Sequence, residues 1–260
     1  MNRLIFLLVL LFLFPVCSGA HPPLKVMTEQ LPPFNYLENG KVIGISADVV
    51  RSLFVQIDYP IDGGAIQVYP WARAYRDIQT QAGTALFSMA RTEEREEQFQ
   101  WVGPLIKITL GVVAKKDRHI KIDSADDLSA YSIGTVRESA PEQLLIAKGV
   151  DVDRLDRLIF PEPNIKKLDT GRIDLFAFNL QVIQYLMTKL GIDTNEYETV
   201  YTLKEVDLYI ALHKDTDAEL VKRLQAALDQ LKQPESDGLS PFDKIMRKYL
   251  CGKIGTTDLN

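Results

Sequence analysis

The feature that most constrains this chain is a repeated exchange between short apolar runs and amphipathic helical stretches. Leu24 to Thr28 reads as a strand, and Pro32-Pro33 halts it, with a loop to Gly44. Ser46 is a candidate cap for a helix with Val49, Val50, Leu53 and Phe54 on one face. Pro70 opens a second helix, in which Trp71, Ala74, Tyr75 and Ile78 recur at i, i+3, i+4 and i+7. Thr84 to Ala90 is a buried strand. A strand at Leu110 to Ala114 follows. The alternation then resumes with strand Tyr131 to Val136, a helix from Glu142 to Lys148, strand Leu158 to Phe160, helix Ile165 to Thr170, strand Ile173 to Phe178 and helix Gln181 to Leu190. Strand Leu208 to Leu212 and helices Ala218 to Lys232 and Phe242 to Leu250 close the chain. Such alternation specifies an α/β architecture with largely parallel sheets.

The first twenty residues stand outside this pattern. Met1-Asn2-Arg3 gives a positive start, Leu4 to Val16 is almost wholly apolar, and Ser18-Gly19-Ala20 supplies small residues, the arrangement of a cleaved export signal. The apolar run of about 13 residues is short of the ~20 that a spanning helix needs. Val16 before Cys17 does not suit a lipidation site. Removing Arg3 with the signal takes the net charge from −5 to −6, and Cys251 stays as the single thiol, so no intrachain disulfide forms. No run of like charges marks a nucleic-acid or polybasic membrane surface. The expectation is a monomeric, exported protein without a membrane span.

Several chemistries have no signature here. G-x-G-x-x-G, the Walker loop, G-x-S-x-G, H-E-x-x-H and C-x-x-C are all missing, and His21, His119 and His213 are far apart. No ligand spacing indicates a metal or cofactor. The informative segment is Ser88-Met89-Ala90-Arg91-Thr92-Glu93-Glu94-Arg95. With Thr92 as an N-cap, Arg95 becomes the third helical residue, where the helix dipole disfavours a cation and a capping box would place Glu. A guanidinium beside first-turn N–H groups suits a carboxylate ligand. Pairing with Glu93, Glu94, Glu96 or Glu97 on a solvated face is the equally weighted alternative.

Pro32-Pro33-Phe34-Asn35-Tyr36 with Gly44, Pro70-Trp71, Thr92-Glu93-Glu94-Arg95 with Phe99 and Pro104, Gly171-Arg172-Ile173-Asp174, Ile210 to Asp215, and Lys248-Tyr249 occur in an order that resembles the family 3 periplasmic solute-binding proteins, the polar amino-acid receptors of ABC importers. The resemblance implies a two-lobed periplasmic-binding-protein fold (type II), each lobe a mixed sheet flanked by helices, with ligand in the cleft between them. Lobe 1 would comprise residues 21–112 and 206–260, lobe 2 residues 113–205. The partner implied is an ABC permease, and the compartment the periplasm.

In the resembling proteins the Arg of T-x-x-R binds an α-carboxylate, which places Arg95 in that role. Ser88 and Ala90 occupy the positions where the family usually has hydroxyl residues, and Ala90 offers only backbone. Ser139, at a second helix start, is either a ligand donor or only its own helix cap. The family acid that takes the α-ammonium falls at Asn179, an amide, so either another acid, with Glu29 and Glu138 as candidates, supplies the anion or the ligand lacks that amine. Phe34, Tyr36 and Trp71 belong to cleft-lining segments, although Trp71 also lies on a core stripe. Phe176 and Phe178 divide between core and cleft. Two other functions fit the same scaffold: a dehydratase-like periplasmic enzyme with Glu29 or Glu138 as acid or base, and a signalling binding protein that serves no transporter.

Overall fold

The computed structural model describes residues 22–250. The expected export signal, with Cys17, and His21 and Cys251 lie outside the described residues. Strand β1 (Lys25–Thr28) leads to a hairpin of β2 (Tyr36–Glu38) and β3 (Lys41–Ile43), then helix α1 (Ile45–Gln56). The loop to Gly44 is thus a paired hairpin. Gly44, at φ 119°, stands at the N-cap that Ser46 was expected to hold. A Cβ at Gly44 would come within 2.5 Å of the Phe34 carbonyl oxygen. Only glycine lets the chain pass so closely. The first-turn N–H groups of Ile45 and Ser46 donate instead to the carbonyls of Pro33 and Phe34, at 3.2 and 2.8 Å. Backbone therefore replaces the side-chain cap.

Next come β4 (Gln67–Val68), α2 (Trp71–Thr80) and β5 (Thr84–Ala90). All seven residues of β5 are buried. A 17-residue strand, β6 (Phe99–Lys115), then crosses the molecule. The second half carries β7 (Ile133–Val136), α3 (Ala140–Ala147), β8 (Leu155–Leu158), α4 (Pro161–Asp169), β9 (Leu175–Asn179) and α5 (Leu180–Leu190). Strand β10 (Tyr197–His213), also 17 residues, crosses back to α6 (Ala218–Leu231) and α7 (Pro241–Leu250).

The sheet order is β4-β1-β5-β10-β6-β9-β7-β8. Its outer strands pair in parallel, but β5–β10, β10–β6 and β6–β9 are antiparallel. The sheet is mixed rather than largely parallel, because the chain passes between halves on two long strands running in opposite directions. Lys107, Lys204, Glu205 and Asp207 interrupt the apolar pattern of those strands midway. Sequence periodicity therefore detects only their apolar ends.

The core follows the same division. Leu220, Leu224, Ala227, Leu228 and Leu231 form the buried face of α6 and pack with Val49, Val50, Leu53 and Phe54 of α1 against the first half of the sheet. The opposite face of that half is covered by Trp71, Ala74, Tyr75 and Ile78 of α2. A third cluster fills the second half and reaches across to Leu31, Phe34 and Ala90. The two halves are thus in apolar contact.

Candidate ligand-binding site

Between the halves lies a cavity of about 40 Å³. One wall comprises Glu29, Leu31, Trp71, Ser88, Ala90 and Arg95; the other comprises Ser139, Ala140, Pro141, Phe178 and Asn179, with Ile108, Leu110 and Leu208 of the crossing strands as floor. Of the residues singled out in the sequence, Glu29, Trp71, Ser88, Ala90, Arg95, Ser139, Phe178 and Asn179 meet here.

Arg95 dominates the first wall. Its residues 93–98 form a 3₁₀ turn rather than an α-helix, and Thr92 makes no side-chain cap bond. The segment Glu93 to Gln98 has no apolar stripe to bury, which removes the packing that sustains an α-helix in a protein. The dipole argument therefore does not orient Arg95. Burial does: the side chain is 1% exposed, and Arg91, not Arg95, takes the bidentate contact with Glu96. The solvated-face alternative is overturned.

The guanidinium carbon lies 5.2 Å from the Trp71 ring centroid and 4.8 Å from that of Tyr75. Those rings stack on each other at 5.5 Å. Nη1 donates to the Ala90 carbonyl at 3.3 Å, and Nη2 donates to the Glu138 carbonyl at 3.2 Å and to Gln143 Oε1 at 2.9 Å. Nε–H is buried without a partner. Burial lowers the guanidinium pKa, while Tyr75, Glu29 and Glu94 oppose that effect.

Glu29 is the other titratable group of the wall. Its backbone is fixed by Asn35, whose buried amide donates to the Glu29 carbonyl oxygen at 2.9 Å. Burial pushes the Glu29 carboxyl up to about 8, against a smaller lowering by Arg95. Ser88 is the irregular residue of β5, at φ 61°, where the pairing with β10 shifts between Met89–Tyr209 and Phe87–Ile210. A left-handed serine in a strand is costly and marks a bulge. Its hydroxyl is buried and unpartnered.

The second wall is built from two helix starts. Ser139 Oγ accepts the Glu142 N–H at 3.5 Å, and Glu142 Oε1 accepts the Glu138 N–H at 2.8 Å. Arg157 and the Thr135 hydroxyl hold the same carboxylate. Asn179 Oδ1 caps α5 by accepting the Val182 N–H at 3.1 Å, which leaves Nδ2 buried and without a partner.

The aromatic candidates and Glu138 divide between the cavity and its surroundings. Phe34 is buried but does not line the cavity; its loop is drawn back by the bonds to α1. Tyr36 faces Tyr185, ring centroids 6.2 Å apart. The Glu138 carboxylate turns to Arg157, and only its carbonyl faces the cleft, accepting Trp71 Nε1–H at 2.7 Å. Phe178 lines the cavity and Phe176 stacks behind it. Sequence reasoning missed the apolar floor and Gln143, since a glutamine on a helix reads as surface.

A two-lobed α/β fold shut over a cavity, with a buried cation on one wall, defines a class of ligand-capturing proteins. The chain belongs to the bacterial extracellular solute-binding proteins, family 3, whose profile it matches over residues 24–250. It is 26% identical over 224 residues to the probable amino-acid-binding protein YxeM of Bacillus subtilis (strain 168), covering 85% of this chain and 81% of that protein. It superposes with a TM-score of 0.75 on a histidine kinase sensor domain with similarity to periplasmic binding proteins, at 17% identity over 89% of this chain and 97% of that one. The TM-score is 0.73 with an ABC uptake transporter substrate-binding protein from Streptococcus pneumoniae with bound histidine, at 18% identity over 89% and 94% of the chains. At such identities the structural likeness establishes the type II periplasmic-binding-protein fold.

Proposed function

We propose that this protein is an exported receptor that closes its two lobes on a small carboxylate, an amino acid or close relative, and delivers it to an ABC importer in the periplasm. The observation that carries this reading is Arg95, a fully buried guanidinium whose Nε–H is unpartnered at the cavity wall. An unpaired buried donor on a cation is costly unless a ligand acceptor completes it. The Ser88 hydroxyl and Asn179 Nδ2 are two further unpartnered donors on the same cavity. A carboxylate satisfies them. Glu29, sharing the cavity, is the group that meets a ligand ammonium, in place of the acid replaced by Asn179.

Lobe boundaries at residues 112/113 and 205/206 place the hinge in the two crossing strands, and closure about them is the motion expected. Support for the amino-acid ligand comes from YxeM and from the histidine-bound streptococcal protein. The sensor-domain likeness supports a second use of the same ligand capture, in signalling. A thermal-shift screen of amino acids, other carboxylates and amines tests the ligand class, since a ligand at 100 times its Kd adds about 2.7 kcal/mol of stability. No response to any carboxylate overturns the proposal.

A further inference from the structure

We propose that Gln143 is a built-in competitor for the ligand at Arg95: its side-chain amide oxygen holds the guanidinium edge that a bound carboxylate needs, and so sets the affinity of the site. This inference rests on the reading of Arg95 as the carboxylate anchor. Side-on bidentate pairing with a carboxylate uses Nε–H and Nη2–H together. Here Nη2 is engaged by Gln143 Oε1 at 2.9 Å and the Glu138 carbonyl at 3.2 Å, while Nε is unpartnered. Half of the recognising edge is therefore taken by the opposite lobe.

Gln143 is well placed for this. It lies in the first turn of α3, its N–H donating to the Ser139 carbonyl at 3.0 Å, and the turn is anchored by the Glu142–Arg157 pair. Its amide oxygen is neutral, so exchange for a carboxylate replaces a bond between a cation and a dipole by one between full opposite charges, which is the stronger of the two in a desolvated cleft. The same bond, with Trp71 Nε1–H on the Glu138 carbonyl, ties the lobes together through protein groups alone. Ligand then displaces a bond that also favours closure, and apparent affinity falls by the fraction of protein held in that state.

The test uses the whole protein and the Gln143→Ala and Gln143→Glu variants. Small-angle scattering of the protein without added ligand comes first: Gln143→Ala should enlarge the radius of gyration, and Gln143→Glu, which places a carboxylate on Arg95, should keep it as small as wild type. Tryptophan fluorescence titrated with acetate as the probe follows. Gln143→Ala should bind acetate about tenfold more tightly and Gln143→Glu at least tenfold more weakly, the scale of one hydrogen bond to a charged group. An unchanged radius in Gln143→Ala overturns the inference without reference to any ligand, as does weaker or unchanged acetate binding by that variant. Arg95→Ala retaining wild-type acetate affinity would instead overturn the reading of Arg95. Far-ultraviolet circular dichroism establishes that each variant is folded, and Gln143→Glu adds an acid where a helix start favours one.

Discussion

The two walls of the cavity differ in how far their polar groups are satisfied. The first wall holds two buried donors without partners, Arg95 Nε and the Ser88 hydroxyl, beside a Glu29 carboxyl pushed up by burial. On the second wall Ser139 and Asn179 each cap their own helix, which leaves Asn179 Nδ2 unpartnered, while behind that wall Glu142 is held by Arg157, Thr135 and the Glu138 N–H. The first wall therefore carries the larger unmet demand, two unpartnered donors on Arg95 and Ser88, and the second wall one, on Asn179. Backbone strain is shared between the walls: Ser88 in β5 is left-handed at φ 61°, and Glu138, just ahead of α3 on the second wall, at φ 60°.

The largest break in that contrast is Arg95→Ala. If the charged wall carries recognition, calorimetry should show binding weakened by about 3–5 kcal/mol, as expected for stripping one partner from a buried charge pair. Unchanged affinity removes Arg95 from the site.

Glu29→Gln should cost a zwitterion about 2–3 kcal/mol of binding and a carboxylate lacking an amine much less. It also has a signature without ligand. An unfolded carboxyl near 4.5 releases its proton as pH rises, while the folded one keeps it to about 8. The fold therefore binds more protons across that window, and stability falls from pH 4.5 to pH 8. Urea unfolding should find Glu29→Gln equal to wild type at pH 4 and more stable by roughly 2–4 kcal/mol at pH 9. Parallel profiles contradict a desolvated Glu29.

Asn179→Asp sharpens the comparison from the other side. Asp caps a helix as well as Asn, so α5 should be retained while the second wall gains a charge. Zwitterion affinity should rise by about 1–2 kcal/mol, and affinity for amine-free carboxylates should fall. The smallest effect belongs to Ser88→Ala: removal of an unpartnered hydroxyl should leave the melting temperature at or above wild type while weakening binding by about 1 kcal/mol. A binding loss accompanied by lost stability would assign Ser88 to the fold instead.

Much of this site was legible residue by residue. Arg95 stood out as a cation where an acid is usual, and Asn179 as an amide where relatives of the resembling type have an acid. The stated reason for Arg95 needed correction, since no α-helix starts at Thr92. Phe34 illustrates the opposite failure. Its position in an aromatic loop motif suggests a cleft wall, but Gly44 brings the Phe34 carbonyl onto the start of α1 and the loop turns away. No local pattern around Phe34 encodes that contact, which forms between backbone groups ten residues apart.

By itself the sequence determined where most of the helices and short buried strands form, because apolar periodicity and helix-breaking Pro and Gly act over a few residues; the β2–β3 hairpin and the 3₁₀ turn after Thr92 escaped it. It also determined the chemical inventory of the site: one buried-prone Arg, one Glu, one Ser at a strand end and an Asn. Only the tertiary structure decided that β6 and β10 run 17 residues through charged midpoints as one antiparallel ribbon, and that Gln143 meets Arg95 across the cleft 48 positions away. Those outcomes depend on which surfaces desolvate one another, and desolvation is a property of the packed whole rather than of any window of sequence.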